Sequence, residues 1–394
     1  MSALICRFEP FDTWFFREAR PLESIGAGEV GSVFPPPVRT LLGAVRTALG
    51  DAWHTQHGTR WQQFDALPEL HALIGKGDDL GPLRCQGPYL YLEDEKNAQK
   101  KQRLYPAPAT LMVKEQADQQ KRYFLLSWAR SNPVQCDLGK VYLPTFPKSV
   151  SGLTDLAGSK PASDCWLTQR GLEAVLAGQA PQADDVVEKK DLFDNERRLG
   201  IGRDNATRAV RQGLLYQTSH IRLRERVGVE LILDGVPEQA ALPAQQVIRL
   251  GGEGRQAALS TSREPNPWAK APKLGKTAAA VLYSLTPTPC APDLPAGIPA
   301  GFQPVNVDGI TAWDGELNGV KLRIWAAVCG RILREGGWDM ALHQSRPVHS
   351  LLPAGSALFV ESLDGNPDSL SALHGCTTGD EAAFGRGQWL LGKI

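Results

Sequence analysis

Glycine and proline interrupt this chain throughout, 39 and 29 of them in 394 residues. Glycine raises the entropic cost of ordering a helix, and proline removes a backbone donor. Such a sequence suits short elements joined by long connections and argues against a helical bundle. Hydrophobic residues make up 42% and charged residues 22%, which excludes wholesale disorder. The length predicts two or three domains.

The local patterns agree. Leu4–Phe8, Tyr89–Leu92, Tyr123–Leu126, Val281–Leu285 and Ser356–Val360 read as short strands. Ile221–Arg224 and Val229–Leu231 alternate as half-buried strands do. After Pro35-Pro36-Pro37, apolar residues at 38, 41, 42, 45 and 49 keep a helical period that predicts a helix ending near Gly50. A second short helix runs over 171–178 and is closed by glycine. The mixed-charge run 93–103 reads as a solvated hairpin tip, and 286–304 as a long loop. Short strands with few helices predict an α+β fold.

Seven cysteines are scattered with no CxxC pair, so zinc-ribbon and thioredoxin chemistry are not expected, nor is any other metal or cofactor. Reduced thiols suit a cytoplasmic protein. Arg7, Glu9 and Asp12 break any early targeting segment. The longest uncharged apolar stretch, 277–292, contains Pro287, Pro289 and Pro292 and does not suit a membrane span.

The 43 basic residues balance the 43 acidic ones, so nucleic-acid binding would have to reside in local patches. Such a patch exists. Residues 181–196 hold six acids and two lysines, whereas 197–226 hold eight arginines against Asp204 and Glu225. Within the basic run, Gly202, Arg203, Asn205, Arg208, Arg211, Arg222 and Arg224 supply planar donor forks and open backbone for RNA. Tyr216 and His220 supply rings for stacking. The competing reading pairs these arginines with an acidic partner segment, for which 181–196 of this same chain is the candidate. Gly252 and Arg255 in Gly251–Arg255, and the segment Phe384–Gly387, are further glycine-arginine loops of the same character.

Three other motifs have two readings each. Gly26, Gly28 and Gly31 fit GxGxxG, but three prolines separate Gly31 from the next helix and Glu29 would repel a pyrophosphate. The loop is then a flexible connection, or a bare backbone that approaches RNA or another chain. Arg39, Gly43, Arg46 and Gly50 share a helix face, which suits either a phosphate backbone or a solvated surface. His54 and His57 are either surface residues past a helix end or functional ones, as a metal pair without a nearby third ligand or as a general acid–base.

Together these segments resemble a known family. Phe8–Gly50, with its Phe15-Phe16-Arg17, Arg20-Pro21, glycine loop and Phe34-Pro35-Pro36-Pro37, is similar to the N-terminal signature of the third-subunit family of type III-B CRISPR Cmr complexes, in the RAMP superfamily. Segments 171–178, 200–225, 247–257, 353–361 and 384–392 resemble later blocks in the same order. Departures are Glu18-Ala19 where Asp-Gly is common, and Ala383 where a glycine often stands. The resemblance implies two ferredoxin-like domains, placed here at 1–200 and 201–394. It also implies a non-catalytic subunit that grips the 5′ tag of crRNA and joins the large polymerase-like subunit to the backbone RAMP subunits in antiviral defence, with no membrane partner. The alternative is a RAMP endoribonuclease that cuts repeat RNA with His54 or His57.

Overall fold

The computed structural model describes residues 3–19, 29–97, 100–116, 120–131, 133–147, 156–204, 206–238, 240, 242–265, 269–275, 278–290, 297–339 and 342–394; the side chains of residues 203 and 210–215 lie outside the description. The fold is strand-dominated α+β with several sheets. Among the described residues no helix is long and apolar enough to cross a membrane, and all seven cysteines are free thiols.

The chain divides into two compact units, and neither is continuous in sequence. The first comprises 1–101, 190–266 and 334–349; the second comprises 102–189, 267–333 and 350–394. A boundary at 200/201 would cut through the strand Phe193–Arg203. The physical reason is antiparallel pairing, which takes partners from distant parts of a chain as readily as from neighbouring ones.

The first unit is built on an antiparallel sheet. Its strands are β1 (Ala3–Pro10), β3 (Arg84–Glu93), β6 (Val227–Asp234), β7 (Gln245–Arg249) and β8 (Gln256–Glu264), in the spatial order β3-β6-β1-β8-β7. A second, three-stranded sheet has β4 (Phe193–Arg203), β5 (Val210–Leu223) and β2 (Glu29–Val30), with β2 parallel to β5. In β1, Arg7 lies opposite Glu230 of β6. Its guanidinium donates to Glu230 at 3.0 Å and to both oxygens of Glu264 at 3.0 and 3.1 Å. β6 departs from the expected alternation: every residue from Val227 to Leu233 is buried. It lies between two partners and under a helix, so even Glu230 is buried, and it is tolerated because Arg7 meets it.

That helix, α1 (Val38–His57), follows a cis Phe34–Pro35 bond and turns Val38, Leu41, Leu42, Val45 and Leu49 inward. It runs seven residues beyond Gly50 and ends at Gly58, whose φ of 64° suits a glycine cap. Gly50 is a packing residue instead of a terminus, because the Trp61 ring lies 2.3 Å from where a Cβ would sit. α2 (Pro68–Ile74) follows, with proline in its first turn.

The second unit has a six-stranded sheet of segments 303–307, 310–317, 320–328, 357–362, 279–284 and 389–392, in that order. Phe302, Trp313, Ile324, Leu358 and Trp389 pack in its core. The expected strands near 281–285 and 356–360 are both in this sheet. The expected helix near 171 spans Gln169–Leu176, with the Thr168 hydroxyl accepting from Gly171 N. The loop expected over 286–304 contains a short strand, Thr288–Pro289, paired with Leu351–Leu352; residues 291–296 lie outside the described residues.

Gly228 in β6 gives a direct test of this packing. A Cβ there would lie 2.3 Å from both Cζ and Oη of Tyr91, a buried side chain whose hydroxyl donates to Glu9 at 2.6 Å. Gly228→Ala should lower unfolding stability by about 1–3 kcal/mol through overpacking. Urea denaturation measures it, and an unchanged midpoint would mean that Tyr91 moves aside without cost.

Candidate nucleic acid interface

The candidate site forms around the β4–β5 hairpin. The two strands pair from Phe193↔Leu223 to Ile201↔Leu215, with a register shift before Arg203↔Val210. At the tip, Asp204 Oδ1 accepts from the backbone N–H groups of Ala206 and Thr207, and Arg208 adopts a left-handed φ of 56° with its side chain exposed. Farther down, Leu199, Ile201 and Tyr216 are exposed. The Tyr216 ring lies over Gly200 opposite, where a Cβ would meet its Cζ at 2.2 Å. Glycine at 200 therefore lets the ring lie flat across the hairpin backbone.

The base of the hairpin is held by an extended segment, residues 12–18. Trp14 and Ile221 exchange backbone hydrogen bonds of 2.9 and 2.8 Å. Phe15 stacks on His220 with ring centroids 5.1 Å apart, and its carbonyl accepts from Gly252 N at 2.8 Å. Phe16 accepts from Val33 N, and Glu18 N donates to Gly31 O. The Glu18 carboxylate also accepts from Gly31 N at 3.0 Å, so a position that departs from the family pattern anchors the end of the glycine loop. β2 then runs beside Gln217 and Thr218, and Arg197 pairs with Glu29 at 3.1 Å.

Of the candidate residues, Gly31, Gly202, Tyr216, His220, Arg222, Arg224, Gly252 and Arg255 lie on the hairpin or on the segments that grip it. Arg203 and Arg211 are on the hairpin strands by backbone; Gly26, Gly28 and Asn205 lie outside the described residues. Arg222 and Arg255 both bond to Asp12, at 2.9 and 3.1 Å. Arg224 pairs with Asp194 at 2.7 Å. The acidic run thus supplies partners to its basic neighbour, because antiparallel pairing sets Asp194 opposite Arg222 and Glu196 opposite His220.

Several expectations need correction. His220 does not offer a stacking face to a ligand: it is 1% exposed, shares a hydrogen bond with Thr13 at 3.1 Å, and has Phe15 against its ring. Gly252 packs on Phe15, where a Cβ would meet the ring at 3.1 Å, so its openness is used within the fold. The stripe on α1 is not one open face, since Gly43 is exposed but Gly50 is buried under Trp61. Arg39 bonds to Asp78 at 2.8 Å and Arg46 to the Gly77 carbonyl at 2.9 Å. Arg386 is buried and pairs with Glu381, which makes Phe384–Gly387 a structural turn. His54 and His57 lie in the last turn of α1 and not past its end. His54 is buried with Nδ1 on Thr59, and His57 stacks on Trp53. Among the described residues, no group of three His, Cys, Asp or Glu could hold a metal ion.

The family described as CRISPR-associated protein (Cas_Cmr3) matches residues 6–394. The chain belongs to this family. Membership makes it a type III CRISPR effector subunit. No curated protein matches it. Among solved structures it is similar to a chain of the type III-B Cmr-beta complex bound to cognate target RNA and AMPPnP, with 14% identity over 91% of this chain and 86% of that one and a TM-score of 0.46. A chain of the Csm3-Csm4 subcomplex of the type III-A interference complex shows 10% identity over 91% and 94%, with a TM-score of 0.35.

Residue spacing did not single out Asp12, Glu196 or Arg198, which with Arg222 and Arg255 form the ionic cluster at the base of the hairpin. The available signal was the Arg197-Arg198 pair at the charge step. A hydrogen bond from Arg198 leads in holding the Asp12 carboxyl down to about 2, with Arg222 adding to it. Burial, followed by the charges of Arg255 and Arg198, lowers the His220 imidazole to about 4.

This last shift has a sign that can be tested. The unfolded chain takes up the His220 proton near 6.5 but the folded chain only near 4. The contribution is therefore fully present above pH 6.5 and is lost as pH falls toward 4, by at most about 1.4 kcal/mol per pH unit. Asp12 acts in a lower window, below its ordinary 3.8. His220→Phe keeps a ring against Phe15 and should flatten the stability profile between pH 6.5 and 4. Equal slopes in the two proteins, measured by chemical denaturation across that range, would show that His220 does not titrate as described.

Proposed function

We propose that this chain is the subunit of a type III-B CRISPR RNA-guided effector that grips the repeat-derived 5′ tag of crRNA and joins the large polymerase-like subunit to the backbone RAMP subunits. In this reading its two units are ferredoxin-like domains, and it performs no catalysis of its own. The observation that carries the reading is the convergence on one hairpin of segments from across the sequence: 12–18, 29–33, 193–224 and 251–255. Arginines lie where those segments meet, and an exposed tyrosine, Tyr216, lies beyond them toward the hairpin tip. Such a surface offers phosphate contacts for affinity and a flat ring for a base.

The endoribonuclease reading has less support. A general acid–base group must reach the proton it transfers, yet His54 is buried and its Nε2 has no hydrogen-bond partner. His57 is exposed, but its Nδ1 is engaged with the Trp53 carbonyl.

Binding of tagged and tag-scrambled crRNA across a salt series tests the proposal. Replacing Arg203, Arg208, Arg211, Arg222 and Arg224 with alanine should weaken both RNAs. If three phosphate contacts are lost, the log–log salt slope should flatten by roughly two units. Tyr216→Ala should instead leave the salt slope unchanged and weaken binding of the tagged RNA by about 1–3 kcal/mol if the ring stacks on one base. An unchanged salt slope in the five-alanine variant would mean that these arginines face protein. Cleavage of repeat RNA that disappears in His57→Ala would favour the enzyme.

A further inference from the structure

Three guanidiniums from three separate segments meet one carboxylate. Arg198 on β4 donates to Asp12 Oδ2 at 2.8 Å, Arg222 on β5 to Oδ1 at 2.9 Å, and Arg255 from the 251–255 turn to Oδ2 at 3.1 Å. Glu196 accepts from Arg198 at 2.8 Å and from Arg222 on another side. With three positive and two negative groups, the cluster retains one positive charge. It is open to water: the Asp12 side chain is 44% exposed and that of Arg222 46%.

The backbone that carries each arginine is held without Asp12, and Glu196 also engages Arg198 and Arg222. Arg198 and Arg222 lie on paired strands, and Arg255 is fixed by backbone bonds from Leu250 N to its carbonyl and from its own N–H to Gly252 O. Asp12 sits at a bend between β1 and Thr13. Thr13 is buried and bonded to His220, whereas Phe11 is exposed. The Asp12 side chain can therefore swing outward by rotation while its neighbour stays anchored. Exposed ion pairs of this kind are individually weak.

We infer that Arg198, Arg222 and Arg255 form a preorganised seat for one RNA phosphodiester, and that Asp12 occupies it as an internal competitor which RNA must displace. A phosphodiester presents two oxygens sharing one negative charge, so it can accept the same guanidinium forks as the carboxylate. The competitor acts on affinity. Any RNA must displace Asp12, so the cost is common to tagged and scrambled RNA and lowers both affinities alike, leaving their difference to contacts elsewhere. The low proton affinity of Asp12 keeps the competitor charged at neutral pH.

The inference rests on the RNA-binding reading above, and its test separates the two. Asp12→Asn and Asp12→Ser both remove the charge, and thermal melting identifies which of them keeps the fold. Binding of tagged and tag-scrambled single-stranded RNA is measured beside thermal stabilisation by inorganic phosphate. We expect tagged and scrambled RNA both to bind roughly tenfold tighter to a folded Asp12 variant, as one charge-assisted contact is freed. The salt slope should steepen by about 0.7 for each phosphate gained, and the preference for the tag should stay as in the parent chain. Adding Arg222→Gln and Arg255→Gln should cancel the gain, and Asp12→Glu should behave as the parent chain. If the parent binds no RNA but an Asp12 variant gains stabilisation by phosphate that the arginine substitutions abolish, the seat stands and tag binding fails. If the variants gain neither RNA affinity nor phosphate stabilisation, the seat is wrong, whatever the parent chain binds.

Discussion

The backbone of residues 12–18 is the constraint on which the rest of the first unit's surface depends. A chain leaving an inner strand normally spends its hydrogen-bonding groups on water or on a turn. Here they are given to four residues in three stretches: Ile221 of the hairpin, Gly252 of a distant turn, and Gly31 and Val33 at and after the end of the glycine loop. The side chains repeat the pattern, with Trp14 Nε1 donating to Gln256 O and Phe15 covering His220. Losing one of these bonds would cost about 0.5–1.5 kcal/mol. Their joint effect is to bring three remote sequence blocks into one neighbourhood.

The same arrangement reconciles a neutral chain with a strongly basic segment. The end of the acidic run pairs across the hairpin with the end of the basic run, so Asp194 and Glu196 lie beside arginines of the opposite strand. The hairpin is therefore closer to neutral at its base than the bare sequence suggests. Toward the tip, Arg208 is exposed together with Leu199, Ile201 and Tyr216. Charge is held where the segments cross, and apolar surface is displayed beyond it.

Much of this was legible where local chemistry decides the outcome. The proline-led start of α1, the helix capped by Thr168 and the strands at 4–8, 89–92, 281–285 and 356–360 follow from periodicity and turn residues alone. The end of α1 was not legible, because Gly50 is chosen for the approach of Trp61, a contact no periodicity reports. The burial of β6 was hidden for a similar reason, since Glu230 looks like a surface residue until Arg7 is found opposite it. At the candidate site, the charge step located the hairpin. Which arginines share a carboxylate depended on pairing register and on a loop 243 residues away, where Arg255 meets Asp12.

The place of β1 in its sheet bears on how the protein is made. Leu4 pairs with Leu233 on one side and with Arg263 on the other, so both neighbours of this strand are synthesised more than 200 residues after it. At roughly 5–20 residues per second on the ribosome, Ala3–Pro10 waits tens of seconds with both edges unpaired. Those edges carry Leu4, Ile5, Cys6 and Phe8, an apolar stretch suited to pairing with another chain. Arg7 and Glu9 interrupt the stretch at every second position. Besides its ion pair in the finished sheet, Arg7 thus keeps the waiting strand charged during synthesis.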